Sequence, residues 1–168
     1  MKNIRKITAI LLAAVMALTM LTACGGGSGS SRTEKERYVA GINDYLNHMV
    51  PGCQDNLKYD SALDIKAQNY QKTYEALRNT TPPTKDSEAK DLALNAAGMG
   101  DKLYFVVTCE LGRSASESQK IQLVALAVKE GVDNEYLAKY QWTISYAWGE
   151  VNTQKQTVPI YIVLHCEG

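Results

Sequence analysis

Apolar positions follow two patterns along the chain. From Ile7 to Leu21 they form an almost unbroken run, too short for a comfortable membrane span of about 20 residues. Beyond Ser31 they are interrupted and recur mostly three and four residues apart, which places them on one face of an α-helix. Tyr38, Val39, Ile42, Tyr45, Leu46 and Met49 share the first such face. Thr33-Glu34-Lys35-Glu36 opens it as a capping box, and Pro51-Gly52 closes it. From about Leu57 to Arg78 a second seam runs through Leu63, Ala67, Tyr70, Tyr74 and Leu77, broken by Thr80-Thr81-Pro82-Pro83-Thr84. A third helix is predicted from about Lys85, with Leu92, Ala96, Met99, Leu103 and Val106 on its face. Gly98 and Gly100 interrupt it and imply a kink, a close approach or a break, and the β-forming residues Leu103 to Cys109 leave a strand as the alternative there.

Later segments are shorter. Ser114-Ala115-Ser116-Glu117 offers a second capping box before Ile121, Val124, Ala125 and Val128, with Lys129 and Gly131 ending that helix and Asp133 able to cap the next. Tyr136 to Val151 fits two readings. Leu137, Tyr140, Ile144, Ala147, Trp148 and Val151 share a helical face, yet Trp142, Ile144, Tyr146 and Trp148 alternate with Thr143, Ser145 and Ala147 as a strand does. The β-branched run Val158 to Leu164 would be its partner across Gly149 to Gln156. The helical spacing predicts a mainly α fold, an antiparallel bundle of four to five helices; the alternative is an α+β fold with a C-terminal hairpin, 140–148 against 157–165.

The front of the chain gives an address. Lys2, Arg5 and Lys6 precede the apolar run as a basic n-region, which reads as an export signal. Leu21-Thr22-Ala23-Cys24 resembles the lipobox of bacterial lipoproteins, and Gly25 to Ser31 follows without an apolar side chain. The resemblance covers only about the first 25 residues. It implies removal of residues 1–23, a diacylglyceryl group on the Cys24 thiol, and a lipid anchor on the extracytoplasmic face of the cell membrane. Residues 24–32 then form a flexible tether, and 33–168 a single domain.

Charge adds little. The chain balances 18 basic against 18 acidic residues, and loss of the signal leaves about −3, with no basic patch for nucleic acid. Besides Cys24 there are Cys53, Cys109 and Cys166, an odd number in a compartment that permits a disulfide. In an up-and-down bundle rising ~1.5 Å per residue, Cys53 and Cys109 meet at the end far from the tether and are expected to pair; Cys109 with Cys166 is the other possibility. His48 near Cys53 and His165 beside Cys166 have no metal-site spacing, so neither a metal nor a cofactor is expected.

No nucleophile motif, phosphate loop or carboxylate constellation is present. The expected function is therefore a non-enzymatic interaction or accessory module of the envelope, bound to the membrane by its lipid and to another envelope protein. A small-ligand or solute-binding lipoprotein is the alternative, with Tyr70, Tyr74, Trp142 and Trp148 as the ring-bearing candidates for its pocket. An enzyme or metalloprotein would have to use His48, His165, Glu110 and a cysteine.

Overall fold

The computed structural model describes residues 33–101 and 103–167; the expected signal peptide and the whole tether with Cys24 lie outside them. The elements are α1 Glu34–Met49, β1 Leu57–Tyr59, α2 Ala62–Arg78, α3 Asp86–Ala96, β2 Tyr104–Gly112, α4 Glu117–Gly131, α5 Asn134–Lys139, β3 Gln141–Trp148 and β4 Thr157–Glu167. This is an α+β fold and corrects the expected mainly α bundle. The strands form one sheet in the order β1-β3-β4-β2. β1 runs parallel to β3, while β3 with β4 and β2 with β4 are antiparallel.

Alternation along the strands sorts side chains to two cores. Trp142, Ile144 and Tyr146 of β3, with Ile160, Ile162 and Leu164 of β4, face α1, α4 and α5. Ala147, Tyr161 and Val163 face α2 and α3. Helices therefore cover both sides of the sheet, and six consecutive residues of β3, Trp142 to Ala147, are buried. That is why the helical reading of 136–151 looked acceptable: a strand buried on both faces carries apolar residues at every phase. The alternating reading and the turn from Gly149 to Gln156 are the ones the chain adopts, with Trp148 opposite Ile160.

Two further segments depart from the helical expectation. The third helix stops at Ala96, and Gly98 takes a positive φ of 66° that ends it. Lys66 then donates to Gly98 O at 2.7 Å, a cation at the negative end of that helix. Leu103 and Val106, read as continuing its face, belong instead to the start of β2 and the turn before it. Leu57 to Tyr59 is a strand rather than the first turn of a helix. Its main chain is held by Asn43, whose Nδ2 donates to Leu57 O at 2.7 Å while its Oδ1 accepts from Leu57 N at 3.2 Å, so a side-chain amide acts as a neighbouring strand.

The local signals held better. Thr33 and Glu36 form the capping box of α1 and Asp133 caps α5. The second capping box lies two residues later than expected: Ser116 accepts from Gln119 N, and Gln119 reaches back to Ser116 N.

Candidate functional site

Three elements meet at the N-terminal turns of α1 and α4. β3 places Tyr146 and its last residue, Trp148, on the α1 side of the sheet, and Tyr38 of α1 packs on both, with ring centroids 5.1 Å and 6.5 Å away. Tyr146 and Trp148 stand edge to face at 5.9 Å. Because Trp148 lies beyond the helical cover it remains 42% exposed. Glu34 and Arg37 of α1 and Glu117 and Lys120 of α4 border these rings, and the seven side chains line an open cleft of about 310 Å³. A second hollow of about 250 Å³ shares Trp148 and Lys120 and is completed by Arg113, Val151 and Val158. Each helix contributes one acid in its first turn and one base three residues on, so the rim carries both signs over an aromatic floor. The Tyr38 hydroxyl beneath the cleft is buried and has no partner among the described residues. Burial first, then the nearby Cys109 and Glu117, push its ionisation far above the ordinary phenol range, so it stays protonated.

A second polar cluster ties the layers together. Asp64 at the start of α2 accepts from Lys35 Nζ of α1 at 2.7 Å, from Tyr59 Oη of β1 at 2.8 Å, and from the buried Ser145 hydroxyl of β3. Lys35 also donates to Tyr146 O at 3.3 Å. Burial raises the Asp64 carboxyl, but the hydrogen bonds from Lys35, Ser145 and Tyr59 outweigh it and hold the group below the usual carboxylate range. With Ser145 inaccessible, this cluster works as a clamp.

The four ring candidates do not converge. Tyr70 and Tyr74 stack at 5.9 Å and both meet Tyr161 in the α2–α3 core, on the opposite face of the sheet from the cleft. Their hydroxyl environment is structural: Tyr74 Oη donates to Asp86 at 2.6 Å, and Tyr161 Oη to Glu75 at 3.0 Å. Trp142 is only 1% exposed, packed edge-on to Phe105, with its indole N–H donated to Tyr136 O at 3.2 Å. Only Trp148 reaches a cleft. Tyr38 and Tyr146 were missed because core aromatic residues and cleft aromatic residues share the same spacing; the exposed end of the alternation at Trp148 was the available signal.

The cysteines correct the disulfide expectation. Cys53, Cys109 and Cys166 are free thiols. Pairing of Cys53 with Cys109 requires a third helix climbing to the far end, whereas Cys109 lies within β2 opposite Ile160. Burial pushes all three thiols above their ordinary range. His48 Nδ1 contacts Asp44 O at 2.6 Å, His165 stacks on Tyr104 at 4.4 Å, and the exposed Glu110 accepts from the Thr157 hydroxyl at 3.2 Å. Among the described residues no group of three His, Cys, Asp or Glu side chains is placed to hold a metal ion. Compared with protein-family models, with curated proteins and with solved structures, the chain matches none.

Proposed function

We propose that the chain is a lipid-anchored extracytoplasmic protein that binds rather than transforms its ligand, with the cleft around Trp148 as its recognition surface. The anchor rests on Leu21-Thr22-Ala23-Cys24. The cleft reading rests on one observation above the others: an exposed indole at the mouth of a hollow of about 310 Å³, floored by Tyr38 and Tyr146 and rimmed by two acids and two bases. A flat ligand face can stack on such rings, and a rim of both signs can bond hydroxyl, amino and carboxyl groups. A hollow of this size suits one or two sugar rings, at the lower end of the usual range of about 300 to 1,000 Å³. The ligand class supported best is a short saccharide bearing charged substituents, the repeating unit of an envelope polymer.

Titration of the full chain with neutral, amino and carboxylated disaccharides tests this. Trp148 is the exposed indole and Trp142 the buried one, so binding is expected to change emission at the solvent-exposed, red-shifted end of the spectrum. Trp148→Ala, titrated by calorimetry because it lacks the reporting indole, should show no binding heat with the melting temperature unchanged. An unaltered affinity in that variant would overturn the cleft reading. Cys24→Ser is expected to release the protein from membranes, and retention would overturn the anchor.

A further inference from the structure

Among the described residues β2 ends the sheet, with no strand on its outer edge. Cys166 N donates to Leu103 O at 3.0 Å and Arg113 N donates to Gln156 O at 3.0 Å, which fixes the hydrogen-bonding phase along the strand. Odd-numbered residues turn their main-chain groups toward β4; Tyr104, Val106, Thr108 and Glu110 turn theirs outward. Among the described residues no further strand or loop backbone pairs with those outward groups, apart from Gly112 O, which accepts from Ala115 N. The register with β4 is unbroken from Tyr104 to Gly112, so no bulge twists the edge away. The strand contains no proline and no lysine, and Glu110 is its one charge. Edge strands of soluble proteins are normally blocked by bulges, proline or charges, because an open edge is a template for another chain, and on β2 a single carboxylate is all that remains of this protection.

The helix above the edge points to the occupant. Ile121 of α4 packs on Gly41 of α1, and Gly131 of α4 stands against Val107 of β2. Those two contacts orient α4 and turn Leu123 to the side away from α1, over the open edge, where its carbonyl lies 4.0 Å from Cys109 Sγ. Leu123 is 41% exposed and Leu126 38%. A chain added beside β2 would therefore need an apolar group of its own on the α4 side, and a two-fold copy supplies the same two leucines at the same height.

We propose that β2 pairs antiparallel with β2 of a second copy about an axis at Thr108, joining two four-stranded sheets into one continuous sheet. This register sets outward-bonding residues against outward-bonding residues: Thr108 against itself, Val106 against Glu110, and at the ends Tyr104 against Gly112, whose carbonyl already accepts from Ala115 N. Glu110 of one copy then faces Val106 of the other, and the two carboxylates fall on opposite sides of the axis. Leu123 of both copies closes over the joint.

Sedimentation of the full chain in mild detergent, over a range of concentrations, is expected to show a dimer. Thr108→Pro removes an outward amide that has no partner among the described residues, and should raise the dimer dissociation constant by at least ~10-fold with the melting temperature kept. If that variant does not fold, Leu123→Glu at an exposed helical position is expected to give the same dissociation. A short bis-maleimide should link Cys109 of one copy to Cys109 of the other, and Cys109→Ser should abolish the linked species. A wild-type monomer at every concentration, a dimer that persists in both folded variants, a linkage through Cys166 alone, or a monomer whose β2 is occupied by a different protein each overturns the proposal.

Discussion

Asp64 gathers donors from 29, 5 and 81 residues away, in Lys35, Tyr59 and Ser145. At this scale the legible features were those whose partners lie within three positions, such as Thr33 with Glu36; nothing in the sequence near Asp64 names Ser145. The depressed carboxyl has a defined consequence for acid stability. In the unfolded chain an aspartate takes up its proton near pH ~4, while the folded group stays ionised to lower pH. The stabilisation is therefore complete above that unfolded value and drains away as the pH falls through the folded one. Asp64→Asn should lower stability at neutral pH by about 2 kcal/mol and flatten the acid limb of the unfolding profile, measured by urea unfolding at pH 7 and at pH 3. An acid limb as steep as that of the parent chain would place the titration elsewhere.

At the scale of elements, the strands were the hard part, each for its own reason. β3 is buried on both faces and so imitates a helix of all-round apolarity. β2 follows a helix whose three-and-four spacing happens to continue through Leu103 and Val106. β1 has only three residues, and its order comes from Asn43 on another element. Asn43→Ala should leave the buried N–H and C=O of Leu57 without partners on that side and cost about 2 to 3 kcal/mol, read as a fall in the denaturant midpoint. Asn43→Asp can still accept from Leu57 N but sets a carboxylate against Leu57 O, so the loss should be at least as large. A midpoint equal to the parent's in both would show that β1 holds without the amide. The capped helices were legible because a cap, a seam and a breaker all lie within the element they define.

For the molecule as a whole, the sheet divides what a bundle would have mixed. Tyr70 and Tyr74 shared a helical seam and Trp142 and Trp148 a strand phase, so the sequence grouped them by element, while the sheet sends the tyrosines to one core and Trp142 to the other, with Trp148 on that second side but exposed at the cleft. The same division separates the thiols by access. Cys53 is buried, whereas Cys109 of β2 and Cys166 of β4 are half-buried. A maleimide of moderate size should modify Cys109 and Cys166 in the native chain and Cys53 only after denaturation, followed by mass spectrometry of the labelled peptides. Two of the three thiols staying unlabelled in the denatured chain until it is reduced would reinstate a disulfide.

The parallel pairing of β1 with β3 also fixes an order of events in time. Leu57 meets Trp142, and β3 meets β4 through a short turn. Local pairing closes fast and distant pairing slowly, so the hairpin is the earlier event. A chain emerging from its N-terminus presents β1 before its partner, so β1 has no strand to join until Gln141–Trp148 has appeared. Asn43 lies only 14 residues from Leu57, so its amide is a partner within local reach of β1 while the strand that β1 joins is still distant in the chain.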